Sequence, residues 1–131
     1  MTGPARIACV LAALGAPPAA AEVEALFPEV SQAEVLTDIV DGEDWLRLRL
    51  VMPRLDPRRA DALTYEDVVP LFEAICRDTV LPYLDNHGLQ PRRIVISLAD
   101  RYVRFGETDP KATQFFEQFR PEGGACIWDE F

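Results

Sequence analysis

The residues of this chain whose chemistry invites a functional reading are a short row of arginines, a tryptophan beside them, and two distant cysteines. Arg47 and Arg49 stand two apart in the run Trp45 to Met52. Strict alternation in that run places both guanidiniums on one side of a strand with Trp45. Leu46, Leu48, Leu50 and Met52 fall on the other side. Tyr102 and Arg104 repeat the spacing in a later run and are expected to share the arginine face. Such a row can hold a carboxylate or phosphate through charge-assisted hydrogen bonds. A tryptophan among arginines also has the composition of an interface hot spot. The competing reading is a solvated sheet face whose arginines pair with nearby acids.

Cys76 and Cys126 are read as a disulfide, because an even pair in an exported chain is normally oxidised. Two buried free thiols are the alternative. A metal centre is not expected, since His87 is the single histidine and the cysteines lack ligand-pair spacing. Redox catalysis is not expected without a Cys-x-x-Cys pair. His87 precedes Gly88 and is read as a cation in the last turn of a helix, favourable to its dipole. The acidic group Asp38, Asp41, Glu43 and Asp44 lacks the oxygen spacing of a calcium loop and is read as a solvated hairpin tip. Ser31 and Ser97 are isolated, and no glycine-rich phosphate loop is present. The sequence therefore assigns no catalytic, cofactor-binding or metal-ligating residue.

The chain of 131 residues carries a net charge of −9. So acidic a surface repels nucleic acid and anionic lipid. The first residues bear one positive charge at Arg6, an apolar run over 7–15, a break at Pro17-Pro18, and Ala19-Ala20-Ala21 before Glu22. This is the pattern of a secretory signal cleaved after Ala21. Its apolar run is too short to span a bilayer, so no stable membrane insertion is expected. The expected organisation is a leader over 1–21 and one domain over 22–131, in the periplasm. Cys9 would leave with the leader.

The elements that must position these residues follow from periodicity. Glu34 to Val40 and Trp45 to Met52 are expected strands, joined by a turn at Asp41-Gly42-Glu43-Asp44 into a hairpin. Thr64 with Asp67 forms a capping-box start for a long helix that Gly88 closes, with Pro70 and Pro82 as points of kinking or breakage. Ile94 to Leu98 and Arg101 to Phe105 are expected to make a second hairpin. Asp109 and Pro110 then read as the start of a second helix, with Ala112, Phe115, Phe116 and Phe119 as its buried stripe. Ala125 to Trp128 closes the domain as a strand. From the second strand onward the order is β-α-β-β-α-β. The expected fold is therefore an α+β, ferredoxin-like sheet with helices on one face and an extra N-terminal hairpin strand.

The stretches Ile94-Val95-Ile96-Ser97-Leu98-Ala99-Asp100-Arg101, Phe105-Gly106, Asp109-Pro110-Lys111-Ala112-Thr113-Gln114-Phe115-Phe116-Glu117 and Cys126-Ile127-Trp128 resemble a family of small exported alphaproteobacterial proteins of unknown function. The likeness spans roughly residues 34–131. It implies export and a periplasmic home, and it brings no activity and no catalytic residues. The functional expectation is thus a non-catalytic periplasmic interaction or accessory domain serving an envelope protein or complex. A periplasmic small-anion-binding protein using the same arginines is the second expectation, and a small carboxylate hydrolase the third.

Overall fold

The computed structural model describes Val23 and residues 26–130. The expected leader and its cleavage point at Ala21 lie outside the described residues. Five strands form one sheet in the order β1-β2-β3-β4-β5. They are β1 (Gln32–Val40), β2 (Glu43–Val51), β3 (Arg93–Ala99), β4 (Gln114–Glu122) and β5 (Ala125–Asp129).

The first hairpin forms where alternation and turn chemistry agree. Asp41 and Gly42 both have positive φ, 51° and 80°. That is the two-residue turn whose twist matches the flanking strands. β1 then pairs with β2 through an unbroken antiparallel register from Val40↔Glu43 to Gln32↔Val51. The alternation of β2 is fully expressed. Leu46, Leu48 and Leu50 are buried, while Trp45, Arg47 and Arg49 are half-buried on the opposite face.

The chain leaves β2 through a short 3-10 turn, Pro53–Leu55, with Leu55 in the core. It enters α1 (Tyr65–Ile75) at a true capping box. The Thr64 hydroxyl accepts from the Asp67 amide, and the Asp67 carboxylate accepts from the Thr64 amide. Helical structure continues through a π-helical turn, Cys76–Val80, into α2 (Leu81–His87). In that turn the Leu81 amide reaches back to the Cys76 carbonyl. The expected disturbance at Pro82 takes this form. A proline ring collides with the carbonyl four residues before it, and the wider turn immediately ahead of Pro82 relieves that collision. Gly88 ends the helix in the left-handed conformation, φ 63°.

β3 lies parallel to β2, so strand, helix and strand form a βαβ unit. The helix covers one face of the sheet. Val68, Phe72, Ile75, Cys76, Val80 and Leu84 pack there against Leu46, Leu48, Leu50, Ile94, Ile96 and Leu98.

Beyond β3 the expected order is corrected. Arg101 to Phe105 is not a strand; it begins a long connection, residues 100–113, that leads directly to β4. The expected second helix is not formed. Asp109 and Pro110 make a turn, with the Asp109 carboxylate accepting from the Lys111 amide at 2.9 Å, and Gln114–Glu122 is strand β4. The fold is therefore α+β with helical structure on one face, but the ferredoxin-like order is replaced by a sequential sheet. The physical reason lies in β3. Ile94 to Ala99 are all buried, so β3 must be flanked on both sides. β4 supplies the second neighbour, antiparallel, through Ile94↔Phe119 to Ala99↔Gln114. The phenylalanines then divide by strand alternation rather than share one helical stripe. Phe119 is buried under the helix and Phe115 half-buried, whereas Phe116 is exposed on the far face. β5 closes the sheet against β4, and its Cys126 is bonded to Cys76 of the π turn.

Candidate functional site: the open face of the sheet

The face away from the helix carries the residues singled out by spacing. In register, Glu34 stands beside Arg49 and Asp38 beside Trp45 on neighbouring strands. Arg47 donates from Nε to Asp38 at 3.2 Å. Arg49 donates from Nη1 to Glu34 at 2.9 Å, and from Nη2 to the Val103 carbonyl at 2.6 Å. Both arginines are thus charge-paired within the domain. The Arg49 side chain is 14 % exposed, so its pair is held in a setting of reduced screening.

The connection 100–113 folds back over this face. Its two ends are tied by Asp100, whose amide donates to the Thr113 carbonyl at 2.9 Å while its carboxylate accepts from the Thr113 amide at 3.1 Å. Arg101 adds two further hydrogen bonds to the same carboxylate. A loop closed at its base in this way can hold its tip in a defined place. The tip presents Phe105, whose ring lies 5.2 Å from the Arg47 guanidinium carbon and 5.5 Å from that of Arg49. Arg47 also lies 5.3 Å from the Trp45 ring. Stacked cations of this kind favour the aromatic faces electrostatically. The Tyr102 hydroxyl approaches Glu34 at 3.4 Å.

Four of the five residues expected on this face are therefore brought together, Trp45, Arg47, Arg49 and Tyr102. Arg104 is exposed in the loop and makes no ion pair among the described residues. Reasoning from spacing missed Phe105 and Phe116, 46 % and 49 % exposed on the same surface, and the acids Glu34 and Asp38 that occupy the arginines. The acids were discoverable only once the hairpin register was known. The two phenylalanines were not, because one sits on an irregular loop and the other on a strand read as helix. Between Arg47, Arg49, Ser97, Phe105, Gln114 and Phe116 lies a small pocket of about 140 Å³.

Two other sequence readings find their places. His87 closes α2, its Nδ1 3.0 Å from the Tyr83 carbonyl and its ring stacked on Tyr83. Among the described residues no group of His, Cys, Asp or Glu is arranged to hold a metal ion. The displaced pKa values belong mostly to local carboxylate–arginine pairs, together with Tyr65, raised by its bond to Glu117, and Asp67, lowered by its cap bonds to Thr64. The clearest is Asp56, drawn down to about 2 by hydrogen bonds from Arg58. The exposed side of the helix is acidic, with Glu66, Asp67, Glu73, Asp78 and Asp85 against Arg77 and His87. The two layers thus differ in electrostatic character. Among the described residues no helix is long and apolar enough to cross a membrane.

No curated protein and no solved structure matches this chain. A family model does match, over residues 11–131, and on that extent the chain belongs to a family of unknown function (DUF6497).

Proposed function

We propose that this domain is a non-catalytic interaction module of the periplasm, an accessory subunit that docks onto an envelope protein or complex through its open sheet face. The observation that carries this reading is the aromatic set around Arg47 and Arg49: half-buried Trp45 with exposed Tyr102, Phe105 and Phe116. Rigid aromatics and arginines are the residues that concentrate binding energy at protein interfaces. Their pairing with Asp38 and Glu34 fixes their geometry before any partner arrives, which reduces the ordering cost of association. The N-terminal pattern and the Cys76–Cys126 disulfide support an exported setting. The test is mild crosslinking in cells, followed by affinity recovery of the tagged chain and mass spectrometry of the envelope fraction. A single partner recovered with wild type and lost in a Phe105→Ala, Phe116→Ser double variant is the expected result. Recovery of the domain alone would overturn the reading.

The small pocket beneath Phe105 favours a second reading, capture of a small carboxylate or phosphate by Arg47, Arg49, Ser97 and Gln114. It requires an anion to compete with Glu34 and Asp38. A rise in melting temperature with inorganic phosphate or short dicarboxylates, lost in Arg49→Leu, would support it over docking.

A further inference from the structure

The two edges of the sheet are not equivalent. β5 is short, Ala125–Asp129, and is fastened to the helix by its cysteine. β1 runs for nine residues with no bulge, proline or lysine. These are the devices by which edge strands normally avoid pairing with other chains. The hairpin geometry shows which backbone groups β1 leaves over. In a two-residue hairpin the pair flanking the turn exchanges both hydrogen bonds, and such pairs alternate along the ladder. Counting from Val40↔Glu43, the even-numbered residues bond to β2. Ala33, Val35, Thr37 and Ile39 direct their N–H and C=O groups outward, and among the described residues none of these groups has a backbone partner.

The surroundings say what would pair there. Beside the second half of β1 lies an open groove of about 590 Å³, whose lining includes Thr37, Ile39, Leu46, Leu89 and Pro91 together with Asp38 and Asp44. Ile39 is 73 % exposed. Five carboxylates surround the edge and the hairpin tip, Glu34, Asp38, Asp41, Glu43 and Asp44. Five carboxylates meet three cations there: Arg47, Arg49 and Arg92 pair with Asp38, Glu34 and Glu43, and Asp41 and Asp44 have no ion-pair partner among the described residues, which leaves this edge acidic. A strand added to β1 would place alternate side chains beside Glu34 and Asp38 on the open face, and beside Ile39 and the apolar groove on the other.

We propose that the free edge of β1 accepts an extended segment of a partner protein as an additional strand, and that this segment alternates basic with apolar residues. The partner is not a second copy of this chain. Full antiparallel overlap of two β1 edges sets Glu34 against Asp38 of the copy, in a molecule of net charge −9. The proposal rests on the reading of the domain as an interaction module, but it uses a different surface.

The test is fluorescence anisotropy of the intact chain with labelled synthetic peptides of about eight residues, a usual strand length. One peptide alternates lysine and valine, and the other alternates glutamate and valine. The lysine peptide should bind, more weakly as salt rises, and the glutamate peptide should not. Thr37→Pro removes one outward N–H at a position where an edge strand tolerates proline. It should weaken binding by about tenfold, the loss of one hydrogen bond left unmade, with the melting curve preserved, while Thr37→Ala binds as wild type. Should Thr37→Pro fail to fold, Ile39→Lys places a repelling charge on the edge and should weaken the same peptide. The proposal is overturned if the lysine peptide does not bind, if the edge variants bind it as well as wild type, or if wild type forms a β1-dependent dimer in sedimentation. The Phe105→Ala, Phe116→Ser variant should keep its peptide affinity; loss there would transfer binding to the open face. A partner recovered from cells with no peptide binding sinks the edge proposal alone.

Discussion

The two faces of β2 are built from alternate residues of one short run, yet they have opposite characters. On the helix side Leu46, Leu48 and Leu50 are almost wholly removed from water. They gain their stability from area and close packing, with no preference among partners of the right shape. On the open side Trp45, Arg47 and Arg49 are only half-buried and are held by directional contacts: two ion pairs, a carbonyl bond and stacked rings. The first face needs the helix. The second is ordered largely by β1 and one loop, and it leaves aromatic surface showing. The difference teaches that a fold of this size can keep one face for cohesion and order the other by directional contacts.

Three substitutions sharpen or break that contrast. The largest effect is expected on the helix side, where Cys126 of β5 is tied to Cys76 across a sequence separation of 50 residues. Cys126→Ala should lower unfolding free energy by about 4 kcal/mol in the chain-entropy model, read as a fall in urea midpoint under oxidising conditions. The same drop on adding reductant to wild type would identify the bond as the cause. Next, Leu48→Ala should cost about 3 kcal/mol in the same assay through lost burial and a residual cavity. A cost below that of any open-face change would break the comparison. On the open face, Arg49→Ala should cost about 2 kcal/mol, because Glu34 and the Val103 carbonyl both lose a charged donor. Hydrogen exchange should accelerate in residues 100–113 while β3 stays protected.

The smallest effect belongs to neither face. Asp56 is depressed from 3.8 to about 2 by Arg58. A carboxylate lowered on folding adds stability above its unfolded pKa and loses it as pH falls through the folded one. The expected window therefore runs from about pH 4 down to about pH 2. An NMR titration should place the Asp56 inflection near the lower end, and Arg58→Ala should return it toward 3.8 with only a slight fall in melting temperature at neutral pH.

The first hairpin was legible because its signals are local. Alternation in Trp45 to Met52 and turn residues at 41–44 specify a hairpin by themselves, but the two-residue turn at Asp41-Gly42 that starts β2 at Glu43, and with it the pairing of Glu34 with Arg49, appeared only in the structure. The capping box at Thr64 and the stop at Gly88 were equally local. The stretch 109–122 was misread for a physical reason. Phe115, Phe116 and Phe119 fit a helical stripe, but Phe115 and Phe119 also fit one face of a strand, with Phe116 on the other. Asp109 with Pro110 begins a turn as readily as a helix.

By itself the sequence determined a capped helix, a first hairpin and a cysteine pair suited to a disulfide, since each depends on neighbours within a few residues or on composition. Only the tertiary structure decided that β4 is a strand, because the fully buried β3 had to be paired on its second side. It also decided that the loop 100–113 returns Phe105 to the arginines and that, among the described residues, no further strand pairs with β1. These outcomes depend on contacts between segments far apart in the chain. Local periodicity is silent about which of two compatible conformations such contacts will select.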